Sequence, residues 1–166
     1  MYNCRIMDPQ IEVRVGELLR LHSLHLAVAE SCTGGLIGDR LTNIPGSSEY
    51  FLGGVIAYAY EAKVRLLGVA WETLGQFGAV SRETVLEMAI GVRRALAADI
   101  GLSISGIAGP GGGTLTKPVG LVWIGLSTAG ANQAWSYQFS GDRLQVKEQS
   151  VAQALRLLAD FLKSDG

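Results

Sequence analysis

Glycine most restricts the folds open to this chain. Of 166 residues, 22 are glycine, close to twice the usual share of about 7%. A glycine inside a helix or strand costs roughly 0.5–1 kcal/mol relative to alanine. The glycines have no fixed period, and four prolines are too few for a collagen-like or proline-rich chain. Several gather in or after apolar runs: Gly34-Gly35 after Leu26–Ala29, Gly53-Gly54 within Phe51–Tyr60, and Gly109 with Gly111–Gly113 after Leu102–Ile107. Such glycine is no linker. It belongs inside a folded domain, where tight turns or close backbone approach require it.

The segments between the glycines alternate in period. Asp8-Pro9 opens a helix to about Ser23, with Ile11, Val15, Leu18, Leu19 and Leu21 facing inward. Leu26–Ala29 reads as a buried strand, Glu30–Gly35 as a turn, and the next helix runs to about Thr42. Pro45–Ser48 is a loop, Phe51–Tyr60 a strand, and Glu61–Leu67 a helix that Gly68 ends. Glu61 and Arg65 are spaced for an exposed ion pair. Ser81 caps a helix whose inward face carries Val85, Met88, Ala89, Val92, Ala95 and Leu96. Leu102–Ile107 is a strand, residues 108–118 a loop, and Val119–Thr128 with Gln133–Phe139 a hairpin around Gly130. Asp142 caps a last helix to about Lys163. Interleaved strands and helices imply an α/β fold, a mixed sheet flanked by helices. The expected organisation is a tail over 1–8 and a single domain over 9–166.

Composition narrows the function. With 14 basic and 15 acidic residues the net charge is −1, so no broad basic field is present to hold nucleic acid. No apolar run reaches the ~18 residues of a membrane span, and Met1–Gln10 lacks the apolar core of a signal peptide. Two cysteines, Cys4 and Cys32, make no disulfide framework, which fits a reducing cytoplasmic setting. His22 and His25 form no zinc-binding pattern. Neither a metal nor a cofactor is expected.

Four places could carry chemistry. Ser31 lies between a buried strand and a helix N-terminus, and the N–H groups of Thr33, Gly34 and Gly35 could hold a phosphate or an oxyanion there, or simply close a capping turn. Lys63 follows a strand in a weakly charged region. At an ordinary pKa only about one lysine in 2,500 is neutral at pH 7, so a base role demands burial or a nearby cation; otherwise it is a surface lysine. Ser105–Thr114 is a glycine-rich loop after a strand, a phosphate cradle or a flexible loop, but neither a Walker A motif nor a dinucleotide fingerprint. Arg143 sits at a helix N-terminus, where a cation is unfavourable unless an anion is near or solvent screens it. Jointly the four fit metal-free amide hydrolysis, with Ser31 attacking and Lys63 taking its proton. Cys32 is the neighbouring thiol, without a histidine partner.

Ala29-Glu-Ser-Cys-Thr-Gly-Gly35, Pro45-Gly-Ser-Ser48, Tyr58 with Glu61-Ala-Lys63, Gly78-Ala-Val-Ser81, Gly106-Ile-Ala-Gly-Pro-Gly-Gly-Gly-Thr114, Lys117-Pro-Val-Gly120 and Ser140-Gly-Asp-Arg143 together resemble the CinA C-terminal domain family. The resemblance runs from about residue 9 to the end. It implies the fold of that domain and, from the family's stand-alone members, hydrolysis of nicotinamide mononucleotide to nicotinic acid mononucleotide and ammonia, a step in pyridine nucleotide recycling. It implies Ser31 and Lys63 as the catalytic pair. Thr33, Gly34, Gly35, Ser48, Tyr58, Ser105, Gly106, Gly112 and Arg143 are the residues expected at the substrate. It also suggests a homo-oligomer, and longer relatives carry an N-terminal domain for which this chain has no room. Tyr60 departs from the small polar residue or Asn common at its position. Against the enzyme stands another class, a nucleotide-binding or regulatory module in which Lys63 stays charged.

Overall fold

Small residues on one face of the central strands decide the architecture. The computed structural model describes residues 11–164. Along β1 (Leu26–Glu30) and β3 (Ile100–Gly106), Leu26, Val28, Ile100, Leu102 and Ile104 point to one face, while Ala27, Ala29, Gly101, Ser103 and Ser105 alternate to the other. On the large-residue side pack α1 (Ile11–Leu21), α2 (Leu36–Thr42) and α6 (Arg143–Ser164), through Val15, Leu19, Ile37, Leu41, Val151, Leu155 and Leu158. On the small-residue side lie α3 (Tyr60–Leu67), α4 (Trp71–Phe77) and α5 (Arg82–Ala95). There Ser103 Oγ donates to Val85 O of α5, and a Cβ at Gly101 would collide with Ala89 O. Helix α5 rides directly on the strands because they carry no bulk beneath it.

The five strands run in the order β2-β1-β3-β4-β5, with β2 at Phe51–Ile56, β4 at Leu121–Ser127 and β5 at Asn132–Gln138. β1 pairs in parallel with β2 and β3, whereas β3–β4 and β4–β5 are antiparallel. The sheet is thus mixed and flanked by helices, as expected. The ends of β1, β2 and β3 open on one edge, where parallel sheets place ligand crevices.

Several elements differ from the sequence expectation. Strand β2 stops at Ile56, and Tyr60 already starts α3. A 3-10 turn, Ser47–Glu49, occupies part of the expected loop. Helix α4 is an element the sequence does not announce: Trp71, Leu74 and Phe77 are spaced three apart, but the segment is only seven residues long and only Leu74 in it is buried. It is held from outside, since Glu87 of α5 accepts from Ala70 N (2.8 Å) and Thr73 Oγ1 (2.6 Å). Leu21 is exposed rather than inward. No Glu61–Arg65 ion pair forms among the described residues. The expected helix start at Asp8-Pro9 lies outside the described residues. The other caps follow the sequence: Ser81 accepts from Thr84 N, and Asp142 and Gln145 cap α6 reciprocally (2.9 and 2.8 Å).

Candidate active site

Three strand ends and the start of α6 enclose a cavity of about 260 Å³. Ser31, Tyr58, Lys63, Ser105, Gly106, Gly112 and Arg143 all line it, although they come from four separate stretches of chain. A larger cavity, about 320 Å³, opens at the opposite end of the sheet beside Leu24, Ile100 and Phe161. The polar side chains on its wall, His22, Arg93, Asp99 and Thr128, make no hydrogen bond to one another among the described residues.

Lys63 is fully buried, one of the largest side chains in the protein with no solvent contact. Its Nζ reaches Ser31 Oγ at 2.9 Å, Ala57 O at 2.7 Å and Tyr58 O at 3.1 Å. No carboxylate lies within ion-pair distance among the described residues. Burial therefore dominates its electrostatics and lowers its pKa from 10.5 to about 8, with nearby Cys32 opposing the shift. A neutral amine keeps two N–H donors and one lone pair. The Ala57 and Tyr58 carbonyls take the two donors, which turns the lone pair toward the Ser31 hydroxyl. Cys32, beside Ser31, is buried too, and its thiol is pushed up to about 11, chiefly by burial. It is a poor thiolate near neutral pH.

The turn after β1 differs from expectation. Thr33 is fully buried and its hydroxyl donates to Glu30 Oε2 at 2.6 Å. Gly35 N and Ile37 N donate to the same oxygen, both at 3.1 Å, and Gly38 N to Glu30 Oε1 at 2.9 Å. Gly34 N closes the turn on Ser31 O. Thr33, Gly34 and Gly35 do not line the cavity, and the start of α2 is not an anion site: a carboxylate of the chain already fills it. Gly34 and Gly35 are required by their left-handed backbone, φ +64° and +101°. Ser48 also lies apart from the cavity. It lies exposed in the turn that precedes β2, whereas the cavity lies beyond the far end of that strand.

Elsewhere the wall is braced. Ser105 Oγ donates to Ala79 O at 2.8 Å, and Ala79 N donates to the Tyr60 hydroxyl at 3.4 Å. Tyr60 thus supports the segment behind the cavity and does not line it. In the glycine loop, the N–H groups of Ala108, Gly109, Gly111, Gly112 and Gly113 find no acceptor among the described residues, so they remain available to a ligand. Arg143 bridges the mouth, donating to Gly109 O at 2.7 Å and the Tyr58 hydroxyl at 3.0 Å. One turn further along α6, Lys147 brings its ammonium over Gly34. The first turn of α6 has no acidic residue. Two cations at the positive end of a helix, without a carboxylate partner among the described residues, form a field suited to an anion. Lys147 and Glu30 escaped the sequence reading. The four-residue spacing from Arg143 could have pointed to Lys147; no local signal pointed to Glu30.

A mixed sheet covered on both faces by helices, with Ser31 and Lys63 in contact at its parallel strand ends, defines the class: a single α/β domain. The chain belongs to the CinA C-terminal domain family, whose profile matches residues 8–162. It is 53% identical over 157 residues to a putative competence-damage inducible protein of Moorella thermoacetica, covering 95% of this chain and 38% of that protein. To a CinA-like protein of Chloroherpeton thalassium it is 50% identical over 161 residues, again covering 95% and 38%. The chain thus spans less than two fifths of the curated relatives it matches. Among solved structures, the competence/damage inducible protein CihA from Agrobacterium tumefaciens superposes with a TM-score of 0.89 at 38% identity, covering 93% of this chain and 94% of that one. A CinA superfamily protein from Klebsiella pneumoniae gives 0.91 at 35%, covering 94% and 98%. No helix among the described residues is long and apolar enough to cross a membrane.

Proposed function

We propose that this chain hydrolyses the carboxamide of nicotinamide mononucleotide to nicotinic acid mononucleotide and ammonia, with Ser31 as nucleophile and Lys63 as its base. The observation that carries the reading is the contact between Lys63 Nζ and Ser31 Oγ, with Lys63 fully buried and no carboxylate within ion-pair distance of it among the described residues. A module that only bound nucleotides would gain little from burying a lysine against a serine, since desolvation disfavours the charge that binding would use.

Neutral Lys63 takes the Ser31 proton as Oγ attacks the carboxamide carbon. The oxyanion that forms needs preorganised donors, and the free N–H groups of the glycine loop supply candidates. Lys63 returns the proton to the leaving nitrogen, the C–N bond breaks, and ammonia departs from an acyl-serine. Water then attacks the ester, Lys63 accepts its proton, and Ser31 leaves with that proton restored. One water is consumed, and one acid and one ammonia are formed. Arg143, backed by Lys147, holds the phosphate at the mouth.

Incubation with nicotinamide mononucleotide and a chelator tests the proposal. Ammonia should form in step with nicotinic acid mononucleotide. Folded protein that forms neither overturns it.

A further inference from the structure

We infer that Glu30 is a positioning residue for the Ser31 nucleophile, fixing the turn that carries it rather than touching substrate; the inference rests on the serine–lysine reading above. Glu30 ends β1 and is almost completely buried, at 1% exposure. A buried carboxylate is costly unless it is paired or fully hydrogen-bonded. No cation pairs with it among the described residues. Its two oxygens instead accept four donors: Thr33 Oγ1, Gly35 N, Ile37 N and Gly38 N. Bonds to an ionised acceptor are roughly twice as strong as neutral ones.

A cheaper cap was open to the chain. A Ser or Asp at the N-cap would satisfy α2 locally, but that position is Gly35, held at φ +101° with no side chain. The cap comes from the end of β1 instead, one residue before the nucleophile. Its effect is to join β1, the turn and α2 at that point. The Ser31 peptide is tied on both sides as well: its N donates to Ile104 O of β3 at 3.0 Å, and its O accepts from Gly34 N at 3.2 Å. With the backbone held by β3, by the turn and by Glu30, Ser31 Oγ has a fixed place opposite Lys63. A displacement of about 1 Å can cost ~100-fold in rate, so the arrangement has a use beyond capping a short helix.

The test reads Ser31 itself, not amide turnover. Phenylmethylsulfonyl fluoride sulfonylates a reactive serine: the Oγ–S bond forms, the S–F bond breaks, fluoride leaves, and the serine proton passes to Lys63. Intact-mass analysis with peptide mapping gives the labelling rate at Ser31 from about pH 6 to about pH 10, at temperatures where circular dichroism shows each variant folded. Wild type should label with a rate that rises through the titration of Lys63. Glu30→Gln should label ~10- to 100-fold more slowly on the plateau, with the inflection unmoved. Thr33→Val, which removes one donor and keeps the shape, should label severalfold more slowly and decides the matter if Glu30→Gln does not fold. A folded variant that labels at the wild-type rate overturns the inference. So does a loss explained wholly by a moved inflection, which would make Glu30 an electrostatic partner of Lys63. A wild type that labels at Ser31 but hydrolyses no nucleotide removes the substrate reading and leaves Glu30 standing. One that never labels removes the nucleophile and this inference with it.

Discussion

Lys63 Nζ lies 2.9 Å from Ser31 Oγ across 32 residues of chain, because β1 and β2 are parallel neighbours and both lead to the same edge. The contact sets a pH dependence. As the proposed base, Lys63 acts only in its neutral form, and burial lowers its pKa to about 8. Below that value kcat/KM should fall about tenfold per pH unit, and above it the profile should level. Lys63→Arg, which keeps a charge that does not titrate in this range, should be inactive throughout. A flat profile between about pH 7 and about pH 9 would contradict Lys63 as the base.

The same burial makes a stability prediction. A lysine whose folded pKa lies below its unfolded value binds fewer protons folded than unfolded between the two. Stability therefore rises as pH increases from about 8 to 10.5. Below that window the buried charge costs about 3 kcal/mol. Lys63→Met should lose activity by at least ~100-fold while flattening this rise in urea unfolding. At neutral pH it should be no less stable than wild type by more than the ~1–3 kcal/mol that the freed Ala57 and Tyr58 carbonyls cost. A full pH-dependent rise in the Met variant would assign it to another group.

Adjacent Ser31 and Cys32 should separate cleanly. Ser31→Ala should abolish turnover. Cys32→Ala should keep kcat within about threefold, because a thiol raised to about 11 supplies almost no thiolate at neutral pH. Progress curves on both variants decide between them. An active Ser31→Ala would move the nucleophile.

The legible parts of the fold and site were those written in adjacent residues. The helix that Ser81 caps, the α6 that Asp142 opens and the turn that holds Ser31 can each be read within a few positions. So can the candidacy of Lys63, although its burial cannot: that depends on β2 lying beside β1. The reading failed where the partner is distant. Glu30 looks like an ordinary acid before a turn until α2 folds back onto it. Ser48 sits in a suggestive motif, yet the direction of β2 carries it away from the cavity. Glycine was understood only in part. Gly34, Gly109 and Gly112 serve left-handed turns, but Gly91, Gly101 and Gly125 make room for packed helices and strands, which no local pattern announces.

Arg143 should act on binding more than on chemistry. It crosses the mouth from Gly109 O to the Tyr58 hydroxyl and does not touch Ser31 or Lys63. Arg143→Ala should raise KM about tenfold or more with a smaller change in kcat, as loss of uniform binding does. Tyr58→Phe, which removes one anchor of the guanidinium, should move KM in the same direction by less. A fall in kcat alone would place Arg143 in the chemistry.

Two glycines in helices offer a test of packing against propensity. Helix propensity alone favours alanine over glycine by about 0.8–1.0 kcal/mol, so Gly75→Ala and Gly91→Ala would both stabilise. The structure separates them. A Cβ at Gly75 in α4 meets nothing within 4 Å, whereas one at Gly91 in α5 collides with the Leu67 carbonyl at the end of α3. That carbonyl is backbone, so relief requires α3 and α5 to move apart. Overpacking of this kind costs about 1–3 kcal/mol, which exceeds the propensity gain. Gly75→Ala should therefore raise the urea midpoint and Gly91→Ala lower it. Because Lys63 sits on α3, Gly91→Ala should also lower kcat, while Gly75→Ala leaves it unchanged. Equal stabilisation by the two substitutions would show that α3 and α5 do not pack as closely as this fold requires.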